Sequence, residues 1–320
     1  MVAPLATIGI DLGGTKCLGV VAGPGGEVLD EARRPTPRGA EAIVDAVSGL
    51  ATELAGRTPA PVAGVGIGAP GLVDAHGVLR SAPNLPGVSD LALAGPLSAT
   101  LELPVVVEND ATCAGWGERQ AGAGRGRDDV VFVTLGTGIG GGMVLGGRLY
   151  RGCHGYAGEI GHMIVDPGGP ECPCGRRGCW ERFASGSGLG RLAREAAHAG
   201  HAGRALALAG GDPEAVRGEH VTAAATEGDQ EALDVLAAFG WWVALGLSNL
   251  ANAVDPDAFV LGGGLVEAGE VLFGPVRAAF SELLQGGGAS PRPPVEVVPA
   301  ALGEHAGAIG AALLAGEAPA

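Results

Sequence analysis

Two stretches of the chain are written to one plan. "TIGIDLGGTKCLGVVAGPGGEVLDEA" reads as an apolar strand, a Gly-rich turn, a second strand, a Gly-Pro-Gly-Gly turn and a third strand. "DDVVFVTLGTGIGGGMVLGGRLYRG" repeats the scheme with its own glycine turns. β-branched runs punctuated by glycine predict β-meanders. Two meander-led units in one chain predict two related α/β halves facing each other. Helical spacing follows the first unit in "GAEAIVDAVSGLATELAG", then come strands in "PVAGVGIGAPG" and "LPVVVEND". Later segments predict Ala/Leu helices at 185–210 and 229–253, a strand in "AFVLGGG", a helix around 268–285, a strand in "PVEVVPA" and a helix in "GEHAGAIGAALLAG".

Composition narrows what such a chain can do. Its 320 residues, 47% hydrophobic and only 17% charged, suit one large globular domain or two medium ones. A net charge of −15 disfavours non-specific binding to nucleic acid or anionic membranes. It leaves room for an anionic small molecule at a local pocket of backbone N–H groups. The start "MVAPLATIGIDLGG" shows no basic n-region. "WWVALGLSNLANAV", interrupted by Asn249 and Asn252, reads as a buried helix and not a membrane span. The expected compartment is a reducing cytoplasm, where lasting disulfides are rare.

The glycine turns are the first candidate site. In "DLGGTK" the glycines let backbone approach an oxygen-rich ligand, and the N–H groups and Thr15 can donate to it. Lys16 could add charge, and Asp11 ends a strand where a carboxylate could meet a phosphate-bound Mg²⁺. The stretch is not a P-loop, and a plain hairpin turn is the simpler alternative. "GTGIGG" at 136–141 matches the dinucleotide fingerprint formally, but a strand and not a helix follows, so that reading is rejected. Two such loops in matching positions fit a nucleoside triphosphate held between two lobes. A third, "LGGG" at 261–264, could pack against the base.

The second candidate is "VVVEND", which puts Asn109 and Asp110 at the end of a buried strand. Asp110 could accept a hydroxyl proton during phosphoryl transfer, or could simply cap the following helix. The third is a cluster, His162, Cys172, Cys174 and Cys179, flanked by Glu159 and Glu181. Three thiols and an imidazole favour a closed structural zinc site over a disulfide or a redox switch. Cys17, Cys113 and Cys153 read as small apolar fillers.

"IGIDLGGTK", "GIGAPG", "SAPNLPG", "PVVVENDA", "VTLGTGIGGGMVLGGRLYRG", "AGEIGH", "CPCGRRGCWERFASG", "LGGG" and "LGEHAGAIGAA" run in the order found in the ROK family. The chain resembles that family of repressors and sugar kinases from end to end, and within it the bacterial ATP-dependent glucokinases most. The resemblance implies an α/β, actin-like (ribonuclease H-like), two-lobed sugar kinase fold with an interdomain cleft. The lobes expected are 1–112 plus 303–320, and 113–302 with the zinc-binding loop. It implies phosphorylation of a hexose at its 6-hydroxyl with Asp110 as general base. Gly71, Asn84, Asn109, Glu159, His162 and Glu181 would join Asp110 in holding the sugar. Asp11, Gly13, Gly14, Thr15 and Lys16 match one phosphate loop, Gly136, Thr137 and Gly138 the other, and Gly262, Gly263 and Gly264 the adenosine side. His162, Cys172, Cys174 and Cys179 match the zinc ligands, with ATP and Mg²⁺ as the other expected cofactors. A cytoplasmic homodimer or homotetramer is expected, with no nucleic-acid or membrane partner. Two departures stand out: "PGVSD" after "NL", and Thr112 where asparagine usually follows "ENDA". The first bears on the pocket rim, and neither touches Asp110. The alternatives are a kinase for fructose, mannose, allose or N-acetylmannosamine, polyphosphate as donor, or a sugar sensor without kinase activity. A repressor would need a helix-turn-helix ahead of the first phosphate motif, which here begins within ten residues of the start.

Overall fold

The first meander folds as β1 (Ala6–Leu12), β2 (Lys16–Ala22) and β3 (Val28–Pro35) in the computed structural model of the chain, which describes residues 5–285 and 292–317. It is followed by α1 (Ala40–Arg57), β4 (Val62–Ala69), a small antiparallel sheet of β5 (Leu72–Val73), β6 (Val78–Ser81) and β7 (Ser89–Ala92), then α2 (Ala94–Leu101), β8 (Val105–Asn109) and α3 (Asp110–Ala121). The second meander is β9 (Val130–Leu135), β10 (Ile139–Leu145) and β11 (Arg148–Leu149). Beyond a long irregular loop come α4 (Glu181–Ala184), α5 (Gly186–His198), α6 (Gly203–Leu208), α7 (Gly218–Thr226) and α8 (Gln230–Val254). The remaining elements are β12 (Ala258–Gly262), α9 (Glu270–Gln285), β13 (Glu296–Pro299) and α10 (Ala306–Glu317).

Both five-stranded sheets have the same internal order. The first runs β3-β2-β1-β4-β8 and the second β11-β10-β9-β12-β13, so each places its meander first and appends two later strands. In the first sheet β1, β2 and β3 pair antiparallel, whereas β1–β4 and β4–β8 are parallel. The second keeps the pattern where β10–β11 is antiparallel and β12–β13 parallel. The two related halves read from the glycine turns are thus present as one strand order used twice.

The chain divides into two compact units: Met1–Phe132 with Gly141–Gly158 and Ala300–Ala320, and Val133–Gly140 with Glu159–Pro299. These bounds differ from those expected at 112/113 and 302/303. The expected boundary at 112 cuts α3, which stays whole in the first unit because α10 packs along it.

Helices cover both faces of the first sheet, as parallel strands require. Ile8 and Ile10 of β1 join Ile43, Val47 and Leu50 of α1 in one buried cluster. The alternate residue, Gly9, turns to α10, where a Cβ would lie 1.8 Å from the Ala308 carbonyl oxygen. Gly66 of β4 meets Ala311 O at the same 1.8 Å, and Gly310 of α10 would strike Cys113 O at 1.7 Å. α10 therefore touches two strands and α3 backbone to backbone. That contact explains its composition, since nine of its residues, from Ala306 to Ala315, are buried and most are Ala or Gly. The segment leading into α10 is held by a fully buried carboxylate. Glu118 accepts N–H bonds from Ala301 and Leu302 at 2.9 and 2.8 Å, and from Ala123 at 2.8 Å.

In the second unit α8 is the central helix. By length and composition it could cross a membrane, but Phe239, Val243 and Leu247 are fully buried within the protein, in keeping with a core helix. The sequence reading was silent on β5–β7, α2 and α7. Gly66→Ala should cost about 3 kcal/mol or more, because strand and helix must part to admit one methyl group. Equilibrium unfolding in denaturant measures it, and a change below about 0.5 kcal/mol, the scale of surface substitutions, would contradict the contact.

Candidate functional site

In the first unit the β1–β2 turn is pinned from β3. Gly13 N–H donates to Lys16 O at 2.9 Å, Thr36 Oγ1 donates to Gly13 O at 2.7 Å, and Thr36 N–H donates to Thr15 O at 3.0 Å. Gly14 lies against Asn84, whose carbonyl oxygen would be 2.9 Å from an added Cβ. Thr15 and Lys16 are exposed at the tip. Lys16 does not wait for a ligand: its ammonium bonds Glu304 at 2.8 Å, and Arg33 bonds the same carboxylate at 2.6 Å. These cations, Lys16 foremost, hold the Glu304 carboxyl down to about 2.

Asp11, on β1 just before this turn, has its carboxyl pushed up to about 7. Burial is the main cause, the Asp110 charge adds to it, and Lys16 opposes both. Two acids thus share one region at the ends of β1 and β8. Their mutual repulsion suits a cation between them and the ligand.

The Asn109–Asp110 pair settles a question the sequence left open. The N-cap of α3 is Asn109, whose Oδ1 accepts from Thr112 N–H at 2.9 Å. Its Nδ2 donates to Gly71 O at 3.1 Å and to Asp110 Oδ1 at 3.0 Å. Asp110 Oδ1 also accepts from Ala111 N–H at 2.7 Å. Asp110 is therefore oriented by its neighbours without serving as the cap. Burial raises its carboxyl above the ordinary range, against the Ala111 and Asn109 donations. Gly71 has φ 95°, a left-handed conformation that favours glycine, and a Cβ there would sit 2.2 Å from Ser81 O. Behind the pair, buried Glu108 accepts from Asn109 N–H at 2.9 Å and bonds the Arg151 guanidinium.

In the second unit four ligand-type atoms, one each from His162, Cys172, Cys174 and Cys179, lie within 4.8 Å of one another. His162 ends a short 3₁₀ turn, Ile160–His162, with Nδ1 3.8 Å from Cys172 Sγ and Nε2 3.9 Å from a Glu159 oxygen. The imidazole therefore turns one nitrogen to the thiols and the other to Glu159. Glu181 reaches the same group, its Oε1 3.0 Å from Cys172 Sγ and 3.7 Å from His162 Nδ1. The loop carrying the cysteines is tied down by Trp180, which is fully buried. Its indole N–H donates to Trp242 O at 2.7 Å, and its backbone N–H to Met163 O at 2.8 Å. Gly246 of α8 makes room for that indole. Trp180 was missed in the sequence because its partner lies 62 residues away.

The second glycine loop borders a cavity of about 1380 Å³ inside this unit. Gly136 and Thr137 line one part of it and Gly264, Leu265 and Ala268 another. Gly263, at φ 87°, packs directly on the Leu135 backbone, and Gly262 ends β12. Gly138 faces Glu181, whose Oε2 would be 2.7 Å from an added Cβ. The candidate residues thus gather as two sets, one within each unit. In the first stand Asp11, the Gly13–Lys16 turn, Gly71, Asn84, Asn109 and Asp110. In the second stand the Gly136–Gly138 loop, Glu159, His162, Glu181 and the cysteines.

The ROK family model matches residues 7–318. The chain belongs to the ROK family. Among ROK proteins it is 42% identical to the glucokinase of Streptomyces coelicolor over 97% of this chain and 98% of that one. It is 37% identical to the glucokinase of Thermotoga maritima over 96% of each. A solved ROK family glucokinase from Streptomyces griseus, in complex with glucose and AMPPNP, superposes with a TM-score of 0.84 at 41% identity, covering 98% of this chain and all of that one. The fold is accordingly the actin-like α/β fold of the ROK sugar kinases.

The raised Asp11 carboxyl makes a pH prediction. Between its ordinary value of 3.8 and about 7 the folded protein binds more protons than the unfolded chain, so stability falls as pH rises through that window. Asp11→Asn removes this loss. Its unfolding free energy, measured in denaturant, should match wild type near pH 4 and exceed it above pH 7 by roughly a few kcal/mol. Equal pH profiles for the two proteins would contradict it.

Proposed function

We propose that the chain is an ATP-dependent glucokinase that transfers the terminal phosphoryl group of ATP to the 6-hydroxyl of glucose, with Asp110 as general base. The end-to-end similarity to bacterial glucokinases supports the reaction. The observation that carries the base is the division of labour at the end of β8. Asn109 caps α3 and orients the neighbouring carboxylate, and the Asn109 and Ala111 donations to Asp110 fall on Oδ1. Oδ2 is then the oxygen for the sugar hydroxyl. A carboxyl raised by burial is a better proton acceptor than an exposed one.

In this mechanism Asp110 takes the 6-hydroxyl proton as that oxygen attacks the terminal phosphorus, and ADP leaves in line. The residues assigned to the sugar are Gly71, Asn84, Asn109, Glu159, His162 and Glu181, which would bond its hydroxyls. The Gly13–Thr15 and Gly136–Gly138 turns donate to phosphate oxygens. Mg²⁺ brought with ATP would neutralise phosphate charge, and the Asp11 carboxylate would hold it. Glucose, rather than another hexose, follows from the named relatives.

The cysteine cluster fits structural zinc. A tetrahedron with bonds of about 2.3 Å sets ligand atoms roughly 3.7 Å apart. Cys174 Sγ and Cys179 Sγ are 3.6 Å apart, and Cys172 Sγ and His162 Nδ1 3.8 Å. Zinc at His162, Cys172, Cys174 and Cys179 would fix the loop from which Glu159 and Glu181 reach the sugar, leaving His162 Nε2 for a hydroxyl.

Asp110→Asn should lower kcat on the order of a thousandfold while glucose binding, measured by calorimetry, changes little. Turnover near wild type would end the assignment of the base. Cys174→Ser should abolish bound zinc in elemental analysis, lower the melting temperature and raise the KM for glucose. Unchanged glucose affinity in protein shown to be zinc-free would contradict the positioning role.

A further inference from the structure

The cavity beside the second glycine loop is unusually basic for so acidic a chain. Arg182, Arg191, Arg194 and Arg217 line it against two acids, Glu219 and Glu267, in a protein of net charge −15. Two of these cations are engaged already. Arg191 bonds Glu195 at 2.7 Å and lies 5.3 Å over the Phe183 ring, and Arg194 reaches Val216 O at 3.4 Å. Arg182 and Arg191 both carry a buried Nε with no hydrogen-bond partner, but Arg191 is committed to Glu195 through its Nη1. Among the described residues no carboxylate pairs with the Arg182 guanidinium. A buried guanidinium nitrogen left unmet is costly and calls for an acceptor.

Its position says what that acceptor is. Arg182 sits on α4, and the segment running from α4 into α5 is welded to the glycine loop. Gly186 N–H donates to Gly136 O at 2.7 Å, and Ser187 Oγ donates to Thr137 O at 2.9 Å. One residue before Arg182, Glu181 lies against Gly138, so both ends of α4 border the loop. A guanidinium offers a planar fork of donors matched to phosphate oxygens, which a lone backbone turn does not. We propose that Arg182 binds the phosphate chain of the nucleotide donor beside the Gly136–Gly138 loop, as the cation of a loop that has none of its own. The inference rests on the reading of ATP as donor. It gives Arg182 the charge-neutralising task that Lys16, tied to Glu304, does not perform for the second loop.

The test compares ligands with and without phosphates, by calorimetry on the full chain. Arg182→Gln should weaken ADP binding and raise the KM for ATP by roughly tenfold or more, leaving adenosine affinity and the KM for glucose unchanged. Arg182→Lys should recover part of the loss. Where the Gln variant does not fold, Arg182→Met replaces the buried Nε region with apolar atoms and carries the same expectation. Equal weakening of ADP and adenosine would mean a merely structural role and overturn the proposal, as would unchanged ADP affinity. If the wild type phosphorylates glucose with ATP and the variants bind ADP equally well, the arginine assignment alone falls. A wild type that neither binds ADP nor uses ATP overturns the donor reading and this inference with it.

Discussion

Backbone-to-backbone contact between α10 and its supports is the constraint on which the first unit depends. Gly9, Gly66 and Gly310 lie where any side chain would occupy space already filled by main-chain atoms. The contact sets the height of the helix over the sheet and, through Cys113, the position of α3. The first residue of α3 is Asp110, so the placement of its carboxyl group is inherited from packing on the helix's far side. Glu118 secures the arrangement by binding the turn that delivers the chain to α10. A carboxyl group with no solvent around it is tolerable there because three backbone N–H groups take the place of water.

In the second unit the corresponding anchor is Trp180. Between Cys179 and Glu181, it fixes a loop that is otherwise rich in glycine, proline and polar residues. Its indole is held by α8, so the same helix that forms the unit's core also sets where Glu181 and Arg182 begin. Cysteines, carboxylate and guanidinium are therefore consecutive consequences of one buried ring.

The meanders, their glycine turns and most long helices were legible in the sequence because each is encoded locally, by turn residues or by apolar spacing. Repetition of the meander also foretold the repeated strand order. The cysteine cluster was legible because four metal-type ligands at close spacing are rare by chance. The Asp110 question was not, since Asn109 and Asp110 are equally good caps and only the finished turn shows which one is used. β5, β6 and β7 were missed because strands of two to four residues carry too little pattern. Glu118, Trp180 and Arg182 were invisible for another reason: what marks them is burial and partners far along the chain. The lobe boundary at 112 failed similarly, since nothing near residue 112 announces that α10 will claim α3.

The close fit of α10 also has a bearing on how the protein is made. β1 and β4 leave the ribosome long before the helix whose carbonyls fill the notches at Gly9 and Gly66. Until then the face of the first sheet that carries Gly9 and Gly66 lacks the backbone that fills it in the folded protein. Domains usually fold as they emerge, but this one cannot close on its N-terminal segment alone. The nascent chain carries that face uncovered until α10 has been synthesised, some two hundred and forty residues after β4.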